Sequence, residues 1–561
     1  MQARHCVVAP FHPAAASDEW LELIRAHCLG LATWLQSQGQ KVTLLFAFGG
    51  ESHGEDTPLP LIAGVEQSFL PLPEGTHLHL PPCVNLELSV RVADFLGTRE
   101  FDFIHFQDWK STGFVALQRR RTLGLPGGPV ITTTLHGGTE REMESLRCFP
   151  AGTVDHLVNG HGERWSIQHA DVAILPAGEM ENWGHEHHWE FPITRVTLPL
   201  FGTDQRADTA WASWLPALLE MRPRSFGPAA PAEAPPKLTV CMAHHNHGAY
   251  LAAALESLSA QTLSSFTVIV VDDGSTDAES IETFSALESQ HEHRGWKFIR
   301  SINRGASGAR NHAARQAPTQ HLVFMDSDNI ARPEMLEILS QSLHRSGADA
   351  LTCHFQLFAG EVPSPTRADS WFAEYHAVGP CLEAGFLTNV FGDTNFIIRS
   401  EVFHKLGGFR ELPGFSLEDW DFLSRLVHSG HDLEVVPQSL FYYRHLSDSF
   451  SRRGAFHTNH LRVIQPMMDA SPLWVKRALL AWFGSEGPGQ FGRQQGYLQL
   501  QEKIASLTAQ VERLQQERAE DKERLKSAKE KASRLRDKLQ AEKTRTSKFG
   551  HKLRRLFFGG Q

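Results

Sequence analysis

With 561 residues the chain has room for about three structural units at roughly 100 to 200 residues each, so a single core is excluded. Hydrophobic residues make up 41% and charged residues 21%, with 35 Phe and 13 Trp, which excludes a disordered chain. The formal charge of −10 is uneven: Gln490 to Gln561 hold 18 Lys and Arg against 9 Asp and Glu, or +9, leaving −19 for the rest. An acidic body with a basic tail argues against nucleic-acid binding and leaves only the tail to seek anionic surfaces.

No run approaches the roughly 18 apolar residues of a membrane span, and Pro10 stops the first apolar stretch, so a cytoplasmic protein is expected, or one peripheral at the inner face of a membrane. The seven Cys lie at 6, 28, 83, 148, 241, 353 and 381 with no C-x-x-C pair. That spacing favours reduced, buried thiols over a disulfide framework or a Cys-type zinc site.

In chain order, HCVVAPF predicts a buried strand, Asp18 to Gln38 a helix and KVTLLFAF a second strand. FDFIHFQ, PVITTTLHG and ADVAILPA add further short strands, with a helix from Ser111 to Leu123 among them. Alternating strands and helices imply a doubly wound parallel sheet over residues 1–214. Residues 215–236 carry six Pro and many Ala from Pro216 on and are expected to be a linker.

The alternation resumes at KLTVCMA: a helix from Ala249 to Gln261, strand FTVIVVDD, a helix from Asp277 to Glu288, strand KFIRS, a helix from Ser307 to Ala317, then HLVFMDSD. Pro333 is placed to start the next helix and Gly347 to end it. A second Rossmann-like domain is expected over 237–480. From Tyr497, apolar residues at 497, 504, 511, 525, 532 and 539 and at 500, 507, 514, 528 and 535 trace a heptad seam, which predicts an α-helical coiled coil over 495–542 and self-association through 497–542. In the tail, 543–561, Lys and Arg alternate with Phe549, Phe557 and Phe558, a composition suited to weak contact with an anionic membrane.

Asp326 and Asp328 of FMDSDN end a predicted strand two residues apart, so both carboxylates leave on one side and can hold one hard divalent cation. A lone D-x-D would read as surface acids in a turn. Here it stands between VVDDGSTD and NRGASGARN upstream and GGF at 407–409 and LEDWDFLSRLVHSGH at 417–431 downstream. In that order the motifs resemble the family 2 glycosyltransferases of the GT-A fold, over about 240–450.

The resemblance implies residue roles. Asp272 and Asp273 would read the nucleotide base and ribose, with Arg310 near the nucleotide. Asp326 and Asp328 would hold Mn²⁺ or Mg²⁺, and Asp419 would be the catalytic base, with Glu418 the next catalytic candidate, of an inverting transfer from a nucleotide sugar to a glycan or polysaccharide hydroxyl. Where the family usually shows Pro-Thr-Tyr-Asn, the chain has Ala243-His244-His245-Asn246; Asn246 is kept and the His245 ring can stack on a base. His445, after the final strand, is a candidate further metal ligand. The His clusters at 185, 187 and 188 and at 291 and 293 lack partners at metal-site spacing.

HFQDWKSTGFVALQRRR, TTTLHGG and ERWSIQHADVAILPA resemble the N-terminal half of GT-B glycosyltransferases of the glycogen-synthase and family 4 type, with His105 to Trp109 and His136-Gly137-Gly138 as acceptor-side features. The donor-binding half does not follow, so residues 1–214 are not expected to transfer sugar alone. Two rivals remain: a nucleotidyltransferase acting on a sugar phosphate, and a catalytically inactive glycan-binding scaffold.

Overall fold

The computed structural model describes residues 2–11, 19–48, 62–71, 78–81, 83–145, 147, 153–176, 178–202, 204–223, 237–360, 362, 371–446, 456–473, 475–477, 479, 531, 535, 536 and 538. Met1–Pro488 form one compact unit and Gly489–Gln561 another. The expected coiled coil and basic tail lie outside the described residues, apart from isolated helical positions at Lys531, Leu535, Arg536 and Lys538.

The first unit contains two α/β lobes. In the N-terminal lobe seven parallel strands are built from β1 (Arg4–Ala9), β2 (Lys41–Phe48) and β3 (Glu66–Pro71), then, after β4 (Leu78–Leu80), from β5 (Phe103–Gln107), β6 (Val130–Thr134), β7 (Val172–Leu175) and β8 (Arg195–Thr197). Their order, β3-β2-β1-β5-β6-β7-β8, is that of a doubly wound sheet. Val7, Leu44, Leu45, Ile131 and Ile174 are fully buried, as expected where helices cover both faces of parallel strands.

The second lobe contains β9 (Leu238–His244), β10 (Phe266–Asp272), β11 (Lys297–Arg300), β12 (His321–Asp326), β13 (Ile330–Ala331), β14 (Ala350–Phe358), β15 (Ala373–Tyr375), β16 (Ile397–Arg399) and β17 (Leu433–Arg444). Strands β11-β10-β9-β12 are parallel; β16 pairs antiparallel with β12 and with β14. Beneath the end of β12, Phe324, Phe396, Phe403, Phe409 and Phe422 are all buried, with ring centroids 4.9 to 6.3 Å apart. Such clusters are rigid because each ring fills space the others leave.

Two expectations about the lobe boundary are corrected. The segment read as linker from 215 begins inside the helix Ala207–Glu220, which tolerates Pro216 because Trp211, Leu215 and Leu218 anchor it in the core. Nor are the lobes separable at 214 and 237, because β4, from the N-terminal half, pairs in parallel with β15 and extends the second sheet. Val378, Cys381, Ala384 and Val390 complete the apolar cluster around Phe106, Phe114 and Trp165. Gln118 Nε2 donates to the Val378 carbonyl (2.9 Å), and Arg121 Nε donates to Glu434 Oε1 (2.5 Å). Among the described residues no helix is long and apolar enough to cross a membrane.

Candidate active site

β9 runs beside both β10 and β12, so chain direction along the sheet reverses there. Parallel sheets bind ligands at such a point, beyond the carboxyl ends of the strands. Asp272 closes β10 and Asp326 closes β12. Register places Asp326 beside Ala243 and Asp272 beside His244.

At the β9 and β10 ends, Asp272 Oδ1 accepts from Ser275 N (3.1 Å) and Ser275 Oγ (2.5 Å), tightening the turn. Asp273 Oδ1 accepts from Arg304 N (2.7 Å), and burial raises its carboxyl above the usual range despite that bond. His245 Nδ1 is 3.0 Å from the Asp273 carbonyl, so that nitrogen is the donor. Asn246 adopts a left-handed backbone (φ 51°) and its Oδ1 accepts from Thr276 N (2.8 Å), bridging the two strand ends. His245, Asn246, Asp272 and Asp273 are thus brought to one corner. His244 points the other way: it is buried, nearly parallel to the Phe284 ring at 5.9 Å.

Around β12 the charges crowd. Arg310, whose side chain is 6% exposed, donates from Nη2 to Asp326 Oδ1 (2.5 Å) and from Nη1 to Glu418 Oε1 (2.7 Å). Two carboxylates around one buried guanidinium make a charge hub, in which Arg310 holds Asp326 and Glu418 rather than reaching outward. Asp328 is pushed up to about 7 by burial and by Asp326, and Asp393 likewise to about 7. Burial, Asp393 and Glu418 push Asp419 well up. Burial also raises the Tyr443 phenol, which feels Asp393, Asp328, Asp326 and Asp419. Asp393 and Tyr443 join a site that sequence motifs alone did not assign to them. Asp393 stands in a Gly-Asp-Thr-Asn turn whose Asn395 Oδ1 faces Asp326 N at 3.4 Å.

The motifs flanking Asp419 are its support. Gly407 and Gly408 take positive φ (78° and 70°). Asn311 clasps the next residue through Asn311 Nδ2 to Phe409 O (2.8 Å) and Phe409 N to Asn311 Oδ1 (3.0 Å). Arg425 donates to Leu406 O (2.9 Å) and Gly408 O (2.7 Å), tying the helix Glu418–His428 to that turn. Asp421, fully buried, lies between Arg410 and Arg425.

Arg444 stacks over Tyr250 and Phe358 and donates to the Asp328 carbonyl (3.0 Å). His445 follows; its N–H bonds to Phe358 O (2.8 Å) and its ring meets Phe372 edge-on. Among the described residues no trio of His, Cys, Asp or Glu ligand atoms within 4.8 Å includes Asp326, Asp328 or His445. A magnesium-type cation needs only one or two protein carboxylates beside the phosphates it binds. The repulsion between Asp326, Asp328 and Asp393 is the environment a hard divalent cation relieves, so the donor set fits one.

In the N-terminal lobe the residues expected to be acceptor-side features turn inward. His105 lies 3.0 Å from His5 and 2.8 Å from Thr132 Oγ1, while His136 Nε2 lies 2.8 Å from Gln107 Oε1. Asp108 Oδ2 accepts from His136 N and Gly137 N, and Glu163 from Lys110 N and Thr139 N. Burial pushes these two carboxyls up to about 7 and about 8. Gly138 (φ 56°) lies so close to Glu163 that a Cβ there would fall 2.3 Å from its Oε2.

Residues 239–407 match the family model of glycosyl transferase family 2, and residues 24–198 that of Glycosyltransferase Family 4. The family 4 match thus lies ahead of the family 2 match, in the order the sequence motifs imply. An uncharacterized glycosyltransferase of Nostoc sp. is 30% identical over 134 residues, 24% of this chain and 41% of its own length. One from Haemophilus influenzae is 29% identical over 201 residues, 34% and 62%. The succinoglycan biosynthesis protein ExoW of Rhizobium meliloti is 30% identical over 190 residues, 33% and 52%. Each of these is thus matched over less than two thirds of its own length. Among solved structures, S. aureus TarS 1-349 in complex with UDP-GlcNAc aligns over 46% of this chain and 75% of that one, at 21% identity and a TM-score of 0.35.

Proposed function

We propose that the second lobe transfers a sugar, with inversion, from a nucleotide-sugar donor to a hydroxyl of a glycan or polysaccharide. The observation that carries this reading is the crowding of Asp326, Asp328, Asp393 and Asp419 at the end of β12, where the sheet changes direction and Arg310 holds Asp326. ExoW, a succinoglycan biosynthesis protein, and a teichoic acid poly(glycerol phosphate) polymerase of Staphylococcus epidermidis, 32% identical over 143 residues, support a polysaccharide acceptor.

His245, Asn246, Asp272 and Asp273 form the nucleoside corner. Asp326 and Asp328 would hold Mn²⁺ or Mg²⁺, which when bound neutralises charge on a departing diphosphate. Arg310 fixes Asp326 and Glu418 in place. Asp419 takes the proton from the acceptor hydroxyl as its oxygen attacks the anomeric carbon. His445 would lie at the rim of the metal site. Glu418, bound to Arg310, orients the start of the helix that carries Asp419.

The deciding experiment is product analysis with a panel of nucleotide sugars. A nucleoside diphosphate as product supports transfer, whereas pyrophosphate would make the enzyme a nucleotidyltransferase. Asp328→Ala is expected to weaken Mn²⁺-dependent nucleotide binding at least tenfold in calorimetry while the melting curve keeps its shape. Undiminished binding sinks the metal assignment.

The heptad seam supports self-association through 497–542, and the aromatic, basic tail a weak membrane contact. Light scattering and vesicle sedimentation of the full chain against residues 1–489 test both: the shorter chain is expected to lose oligomeric mass and salt-sensitive vesicle binding.

A further inference from the structure

A second cluster of ligating side chains lies away from the carboxylate site, where the two lobes meet. His161 belongs to the helix Val154–His169 of the N-terminal lobe. Cys381 caps the short helix Leu382–Gly385 of the second lobe, and Glu383 lies in its first turn. One ligand atom from each of the three lies within 4.8 Å of the other two, a grouping found nowhere else among the described residues. Cys381 Sγ is 3.8 Å from Glu383 Oε2 and 3.8 Å from the Leu157 carbonyl.

Each residue is disposed as a ligand would be. Cys381 is fully buried and its thiol is free. His161 Nε2 is buried with no hydrogen-bond partner among the described residues. An imidazole nitrogen withdrawn from water without a partner is costly, and here it lies beside a thiol and a carboxylate that could share a cation with it. The Phe114 ring meets the imidazole edge-on at 5.8 Å and holds its plane. Glu383 divides its two oxygens: Oε1 accepts from Arg164 Nη2 (3.1 Å), while Oε2 faces Cys381. Arg164 thereby orients the carboxylate, as the outer partners of metal ligands do.

We propose that His161, Cys381 and Glu383 hold one thiophilic divalent cation of the zinc class, which joins the two lobes. Tetrahedral zinc with bonds of about 2.0 to 2.3 Å sets its ligand atoms roughly 3.3 to 3.8 Å apart. The Cys381–Glu383 pair already has that separation, and closing the trio requires side-chain shifts of about an ångström. Nitrogen, sulfur and carboxylate oxygen together select zinc over magnesium or calcium, which take oxygen alone. Water fills the fourth position on the solvent side, where Glu383 is half-exposed. The cysteine spacing of the sequence shows no zinc motif because two lobes contribute the ligands. The proposal does not depend on the transferase reading.

Cobalt(II) tests it, because a thiolate-to-cobalt charge-transfer band in the near ultraviolet reports sulfur ligation, which the aspartate site cannot supply. Full-length protein stripped with EDTA is expected to bind one equivalent of Co²⁺ with that band, and Zn²⁺ to abolish it. Cys381→Ser should lose the band and His161→Gln weaken its appearance at least tenfold. Glu383→Gln, at a half-exposed position, should do the same with an unchanged circular dichroism spectrum, which guards against a folding defect in the other two. Asp328→Ala should leave the band intact. Absence of the band in the parent protein, or its persistence at full strength in Cys381→Ser, overturns the proposal.

Discussion

Asp419→Asn is expected to lower turnover by about a hundredfold or more, the scale for losing a general base, with donor affinity nearly unchanged. Asparagine keeps the volume and one acceptor oxygen but cannot take a proton. The helix that carries it stays in place because its anchors lie elsewhere: Glu418 on Arg310, Asp421 between Arg410 and Arg425, and Trp420 Nε1 on the Gly385 carbonyl (2.8 Å). Burial and the neighbouring Asp393 and Glu418 make this carboxyl a stronger base than an exposed aspartate. Steady-state kinetics should therefore show the loss in kcat with the donor KM little altered. If turnover is near normal, the proton goes elsewhere, and Asp393→Asn becomes the next variant to measure.

What local pattern encodes was legible from sequence, and what distant packing creates was not. The helix start at Asp277 is visible because its side chain caps Ser280 N (2.7 Å), and the stop at Gly347 because its backbone is left-handed (φ 73°). Asp326 was legible as the end of a strand, whereas Asp328, expected on the same strand, lies in the turn just beyond it. Asp393 carried no such signal: it lies in an irregular turn and becomes part of the site because β16 brings that turn against β12. Strand β4 is three residues long and acquires its partner only when the second lobe folds beside the first. Pro216 was read as a breaker by its own chemistry, yet the packing of Trp211 and Leu218 outweighs one lost helical hydrogen bond. Arg310 was placed near the nucleotide, but only the folded chain shows both ends of its guanidinium engaged by carboxylates.

Arg121→Ala is expected to destabilise the first unit by about 3 to 5 kcal/mol, the range for removing one partner of a buried ion pair. Glu434 is 4% exposed, and Arg121 crosses from the N-terminal lobe to reach it, with the half-exposed Asp432 further off at 3.9 Å. Even with Arg121 present, burial pushes the Glu434 carboxyl up to about 7. In the unfolded chain a glutamate titrates near about 4.3. Between those values the native state holds a proton that the unfolded state has released, so this group's contribution to stability falls as pH rises, and it levels off above about 7. Without Arg121 the folded carboxyl titrates higher still, so the variant continues to lose stability above pH 7 where the parent no longer does. Denaturant unfolding at pH 6, 7 and 8.5 should show a difference that widens with pH. Replacing both partners, Arg121→Met with Glu434→Leu, removes the buried charge along with the pair and should restore most of the loss. A deficit independent of pH, or a double variant no better than Arg121→Ala, would mean that the arginine's packing rather than its charge joins the lobes.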